Sequence, residues 1–255
     1  MSGTVYLVGA GPGAADLLTL RAARLLARAD IVLHDALVSA EILDLAPQAR
    51  KLNVGKRAGR PSTDQAFINR MLVRAAQRYE TVVRLKGGDP MLFGRAQEEI
   101  DACRAAGVAV EVVPGISAGF AAAADILTSL THRKTARSVV FVTPAIGKGL
   151  DADERWADAA AAADVAVIYM GKTQGPRVRD ALVARGAPMS RPVVLVEEAS
   201  RGTSTPIGGA LADLESIAAS AGDGPALLLI GHALAKAAAQ WRGSEDDNAA
   251  TSKAS

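Results

Sequence analysis

The chain has 255 residues, 49% of them hydrophobic but only 4% aromatic, and 53 are alanine; that suffices for one large core or two medium ones packed through small side chains. Lys and Arg outnumber Asp and Glu by only 29 to 27, and nine aromatic rings offer few stacking platforms, so nucleic-acid and anionic-membrane partners are excluded. Cys103 is the single cysteine, and His34, His132 and His232 are widely separated, which excludes a disulfide framework and any local metal-ligand pattern, so no metal is expected. From Met1 the chain enters a strand-type run without a basic segment or a small-residue cleavage site, the pattern of a cytoplasmic protein. Strand patterns follow at Thr4–Gly9, Asp30–His34, Lys51–Val54, Thr81–Leu85 and Val108–Val113, several of them continuous aliphatic runs of the kind a buried parallel sheet requires. Between them, Leu17–Ala29 carries apolar residues at 17, 18, 20, 25 and 26 with arginines at 21, 24 and 28, an amphipathic helix pattern that Phe67–Gln77 and Glu98–Ala106 repeat. The longest uncharged apolar stretch, Val112–Ala124, is too short to span a bilayer.

The second half repeats the rhythm. Strands are expected at Ser138–Val142, Val165–Met170, Pro192–Glu197, Ser204–Leu211 and Ala226–Ile230, with helices at Ala152–Ala162, Pro176–Arg185 and Leu211–Ala219. The predicted fold class is α/β: two consecutive α/β domains with mixed, mainly parallel sheets and an interdomain active-site cleft. The domains are expected at 1–114 and 115–242, with a hinge at Pro114-Gly115 and a disordered tail at 243–255.

Two glycine-rich turns carry the functional signal. The first strand ends in Gly9-Ala10-Gly11-Pro12-Gly13-Ala14, which satisfies the G-x-G-x-x-A pattern of a dinucleotide site, with Asp35 after the second strand as a ribose acceptor. Pro12 removes a backbone donor where a pyrophosphate would need one, so a tight turn with no ligand is an equal alternative. The fourth strand closes in Arg84-Leu85-Lys86-Gly87-Gly88-Asp89-Pro90. Paired glycines let a ligand approach the backbone, and Asp89 can accept from hydroxyl or ammonium groups.

Three other patterns compete. Gly115-Ile116-Ser117-Ala118-Gly119 matches a nucleophile elbow, with His132 or His232 as base, but lacks the oxyanion loop upstream. Gly171-Lys172-Thr173 resembles the end of a phosphate-binding loop, yet Ala166 stands where its first glycine is needed. Arg50, Lys51, Lys56, Arg57 and Arg60 form a basic run suited either to a solvated edge or to a polycarboxylate.

Taken together, these segments resemble the tetrapyrrole methylase family. The resemblance runs from Val5 to about Trp241 and is carried by Val5–Gly13, Leu17–Leu20, Ala29–Ser39, Val54–Arg60, Val82–Pro90, Phe93–Arg95, Val112–Ser117, Leu130–Arg133, Tyr169–Gly171 and Pro225–Leu227. It implies a homodimer that methylates carbon atoms of a small-molecule tetrapyrrole, with S-adenosyl-L-methionine as donor and S-adenosyl-L-homocysteine as product. The Leu130–Arg133 run (LTHR) favours action on uroporphyrinogen III, in two successive transfers, over later corrin steps. By resemblance, Asp35 is the catalytic base and Lys56 the acid. The cofactor contacts would be Pro12, Gly87, Gly88, Asp89, Leu92, Ser117, Ala118, Met170 and Ala199. Methyl transfer from a sulfonium rests chiefly on positioning, and the proton released from the ring needs a carboxylate in reach. Substrate carboxylates would meet Arg57, Arg60, Arg95, His132 and Arg133. The chain departs from the family pattern at Ala14, His34, Ser129 and Thr143-Pro144-Ala145.

Overall fold

Side chains alternate across a strand, and the first strand shows what that dictates. In β1 (Thr4–Gly9), Val5 and Leu7 enter one buried cluster and Val8 enters another, so both faces must be covered. The same alternation holds in β2 (Ile31–His34) and β4 (Thr81–Lys86). A computed structural model describes residues 3–55, 64–145 and 153–242. The chain divides into two units, Met1–Ala121 with Ser200–Gly202, and Ala122–Ala199 with Thr203–Ser255. The division falls inside α5 (Ala118–Asp125) and not at Pro114-Gly115, because Gly115 packs against Gly9 and Gly88 of the first unit. The tail expected at 243–255 lies outside the described residues.

In the first unit, β1, β2, β3 (Arg50–Asn53), β4 and β5 (Ala109–Val113) form a sheet in the order β3-β2-β4-β1-β5, with every pair parallel. One face is covered by α3 (Gln65–Ala76) and α4 (Ala96–Ala105), which contribute Ile68, Leu72, Ile100 and Cys103. The other is covered by α1 (Leu20–Leu26) and α2 (Ala40–Leu43), through Ala22, Leu25, Leu26 and Ile42. Each leucine so enclosed contributes about 2 kcal/mol relative to leaving it in water. Helix α1 is shorter than the Leu17–Ala29 pattern predicts. Ala15–Leu17 forms a 3-10 turn, and the α-helix starts only after Thr19, whose hydroxyl accepts from the Ala22 amide at 3.2 Å.

The second unit contains β6 (Val139–Val142), α6 (Arg155–Ala162), β7 (Val165–Tyr169), α7 (Gly175–Val183), β8 (Pro192–Glu197), β9 (Thr205–Ala210), α8 (Leu214–Ser220), β10 (Ala226–Gly231) and α9 (Ala235–Gln240). Its sheet is mixed, in the order β6-β7-β10-β8-β9. Only β6 and β7 are parallel, and β10 runs against both of its neighbours. The two sheets share one register device. Asp30 accepts from the Glu80 and Thr81 amides at the start of β4, and Asp164 accepts from the Arg137 and Ser138 amides at the start of β6. Among the described residues no helix is long and apolar enough to cross a membrane.

Candidate active site

In an open parallel sheet, loops that leave adjacent strands toward opposite faces part and leave a crevice at the strands' C-terminal ends. Here the adjacent strands are β1 and β4. The chain leaving β1 leads to α1 on one face, and the chain leaving β4 leads to α4 on the other. Both glycine-rich turns therefore emerge at the switch point. They are joined there by reciprocal hydrogen bonds, from the Gly88 amide to the Gly11 carbonyl at 2.7 Å and from the Gly11 amide to the Gly88 carbonyl at 3.2 Å.

The glycines of this crevice serve two different ends. A Cβ on Gly9 would lie 2.5 Å from Gly115 Cα and 2.7 Å from the Gly88 carbonyl oxygen, so backbone packs on backbone and no ligand enters there. A Cβ on Gly87 would meet only Leu37 Cβ at 3.8 Å, and one on Gly88 nothing nearer than 4.0 Å. Those faces are open, and Gly88, at φ +68°, adopts a conformation that suits glycine. Asp89 clamps the cradle: its Oδ1 accepts from the Met91 amide at 2.8 Å and its Oδ2 from the Gly115 amide at 2.9 Å. Pro12 and Leu92 are half-buried in the adjoining turns, and Ser117 directly precedes Ala118, the first residue of α5, shortly after Gly115.

Asp35 follows β2, the neighbour of β4 on the other side. Arg84, on β4, reaches it with Nη2 2.5 Å from Asp35 Oδ1, leaving Oδ2 without a hydrogen-bond partner among the described residues. The Asp35 side chain is 31% exposed and that of Arg84 only 3%. Arg84 Nε donates to Glu99 Oε1 at 3.0 Å, and Lys86 Nζ contacts both oxygens of Glu99. Burial alone would lower the affinity of Arg84 for its proton, but the carboxylates of Asp35 and Glu99 outweigh it and hold the guanidinium firmly charged. Burial, together with the Arg84 charge, pulls Lys86 below the usual lysine range against the opposing pull of Glu99.

The sequence reading missed this set. Its signal is periodic: Arg84 and Lys86 alternate with Leu85 on one face of a strand otherwise apolar, and Glu99 shares the buried helix face of Ala96, Ile100 and Cys103. Also missed was Ser200–Gly202, which belongs to the first unit. Ser200 Oγ accepts from the Ala14 amide at 3.3 Å, and Arg201 Nη2 donates to the Leu37 carbonyl at 2.7 Å.

In the second unit, Met170 follows β7 at φ +55° and is half-exposed, while Ala199 is buried between two residues at positive φ, Glu198 and Ser200. Non-glycine residues held there store strain of about 1–3 kcal/mol each, a common mark of ligand sites. His132 and Arg133 lie in an exposed turn of the same unit, where His132 Nδ1 is engaged by Thr135 Oγ1 at 3.0 Å and the Lys134 amide. Arg95 pairs its guanidinium with both oxygens of Glu98 at 2.7 Å on the surface. Lys56, Arg57 and Arg60 lie outside the described residues.

The competing motifs resolve physically. A dinucleotide needs a helix starting at the first glycine-rich turn, whereas α1 starts at Leu20, with the Ala22 amide capped by the Thr19 hydroxyl. Gly13 is also covered, since a Cβ there would lie 2.6 Å from Arg201 Cγ. Lys172 is no phosphate ligand: its Nζ bonds Glu197 Oε1 at 3.0 Å and the Gly222 and Gly224 carbonyls. Ser117 is buried, and its carbonyl accepts from the Phe120 and Ala121 amides of α5.

Residues 4–215 match the family model described as Tetrapyrrole (Corrin/Porphyrin) Methylases. The chain belongs to the tetrapyrrole methylase family. Siroheme synthase 1 of Serratia proteamaculans is 45% identical over 233 residues, 90% of this chain and 48% of that one. The siroheme synthase of Zymomonas mobilis is also 45% identical, with the same coverage. The chain thus spans about half the length of the curated relatives it matches. Among solved structures, the uroporphyrin-III C-methyl transferase of Thermus thermophilus complexed with S-adenyl homocysteine is 37% identical with a TM-score of 0.80, over 92% of this chain and 100% of that one. The cobalt precorrin-4 methyltransferase, at 28% identity, has the same TM-score over 91% of this tetrapyrrole methylase and 95% of its own chain.

Proposed function

We propose that this tetrapyrrole methylase carries out two successive C-methylations of uroporphyrinogen III, through precorrin-1 to precorrin-2, with S-adenosyl-L-methionine as donor. The observation that carries the reading is the open backbone of Gly87 and Gly88 at the β1/β4 switch point beside Asp35, in a chain alike over 92% of its length to a uroporphyrin-III C-methyl transferase complexed with S-adenyl homocysteine. The proposal is confined to methyl transfer, because the siroheme synthases are about twice as long as the matching region.

When bound, the cofactor supplies an electrophilic methyl on a sulfonium; the chain supplies position and a proton acceptor. Gly87 and Gly88 admit close approach, with Asp89 bracing the loop and Pro12, Leu92, Ser117 and Ala118 beside it. By the family resemblance, Met170 and Ala199 are further cofactor contacts. Asp35, held at Oδ1 by Arg84, takes the ring proton on Oδ2. Lys56 is the acid, while Arg57, Arg60, Arg95, His132 and Arg133 meet the substrate carboxylates. A homodimer is part of the proposal and is read by sedimentation equilibrium.

The decisive assay incubates the purified chain with uroporphyrinogen III and S-adenosyl-L-methionine and reads the product by mass spectrometry. Gain of two methyl groups is expected, as is stabilisation by S-adenosyl-L-homocysteine and not by NADH. No methyl gain together with NADH stabilisation would refute the reading. A second reading, methylation of a later precorrin, draws on the equal structural likeness to the precorrin-4 enzyme; it predicts methyl gain on that macrocycle alone.

A further inference from the structure

Glu99 is wholly enclosed, yet it is surrounded by charge. Its carboxylate accepts from Arg84 Nε at 3.0 Å, from Lys86 Nζ at 3.1 and 3.0 Å, and from Gln65 Nε2 at 3.2 Å. Placing such a set in a protein interior gains little over apolar side chains of the same volume, because desolvation consumes most of the attraction. What the set does is fix geometry. Arg84 has Nε on Glu99, Nη1 on the Leu85 carbonyl at 3.2 Å, with the Leu33 carbonyl at 3.5 Å, and Nη2 on Asp35. Its plane is therefore set by α4 and two central strands, and its one remaining contact is the carboxylate at the crevice. Among these charged side chains, Arg84, Lys86 and Glu99 are at most 4% exposed, and only Asp35 reaches solvent.

We propose that Glu99 is a positioning residue for methyl transfer: by fixing Arg84 it orients the Asp35 carboxylate, with Lys86 and Gln65 fixing Glu99 in turn. This rests on the proposed reading of Asp35 as the proton acceptor. Without the Glu99 charge, the Arg84 fork loses its inner anchor, and both cations turn to Asp35 as the remaining anion of the set. Asp35 is then misdirected while the Gly87-Gly88 cradle stays intact.

The test is a kinetic cycle on the full chain with Glu99→Gln, Asp35→Asn and the double variant, with rates expressed per S-adenosyl-L-homocysteine site titrated. Glu99→Gln should lower kcat about tenfold or more, leaving the S-adenosyl-L-homocysteine dissociation constant within about twofold. The double variant should be no slower than Asp35→Asn alone, since Glu99 acts through Asp35. An unchanged kcat in Glu99→Gln, or the same fold-loss repeated on the Asp35→Asn background, overturns the proposal. Should Glu99→Gln not fold, Gln65→Met, which removes one donor to Glu99, takes its place with an expected loss of about threefold or more and the same two overturning results. Absence of methyl transfer in the unaltered chain overturns the functional reading as well, so the two failures are told apart.

Discussion

Arg84 commits its entire guanidinium to the protein interior and the edge of the crevice. Arg84→Met leaves Glu99 enclosed with only Lys86 and Gln65, and stability should fall by about 3 kcal/mol in urea denaturation. Cys103, packed beneath Glu99, is a second residue whose environment determines its chemistry. Burial, assisted by the Glu99 charge, pushes its thiol up to about 11 from 9.0. A thiol harder to ionise in the folded state than in the unfolded one contributes stability that is present below pH 9 and lost as pH rises toward 11. The unfolding free energy should therefore fall by up to roughly 2 kcal/mol more between pH 9 and 11 than in Cys103→Ala. At this scale the two glycine-rich turns were legible, because each is a short run of neighbouring residues. The Arg84–Glu99 pair was not, since it joins a strand residue to a helix residue and only packing brings them together.

At the element scale, the strands were read almost to the residue, because continuous aliphatic runs have one stable outcome in a sheet covered on both faces. Helix starts were read less well: the apolar pattern at Leu17 and Leu18 continues into α1, but Thr19 caps the helix and determines where it begins. The short α2 and α9 and the alanine-rich α5 were missed, since four to eight residues with few large side chains leave a weak helical period. The glycine-rich turns give a paired prediction. Gly9→Ala drives a Cβ into the Gly115 and Gly88 backbone and should cost about 2 kcal/mol or more by thermal or chemical unfolding. Gly87→Ala meets open space and should leave stability within about 1 kcal/mol. On the proposed function it should also weaken S-adenosyl-L-homocysteine binding at least tenfold by calorimetry. Equal stability losses in the two variants would contradict the assignment of one glycine to packing and the other to a ligand.

For the whole molecule, the net charge of +2 conceals local clusters. If those clusters meet a polycarboxylate, the tetrapyrrole KM should rise several-fold between about 50 mM and 500 mM salt, while S-adenosyl-L-homocysteine binding stays nearly constant. A KM independent of salt would remove the basic residues from the substrate site. Composition, periodicity and motif order by themselves determined the α/β class, the ten strands found among the described residues, the two glycine-rich turns and the methylase resemblance, because all of these are written in neighbouring residues. The tertiary structure alone decided which glycines are packed and which are open, that Ser200–Gly202 completes the first unit, that the second sheet is mostly antiparallel where a mainly parallel one was expected, and that Asp35 is held by a buried arginine. Each depends on atoms far apart in the chain, whose meeting is set by strand order and by helices covering opposite faces of one sheet.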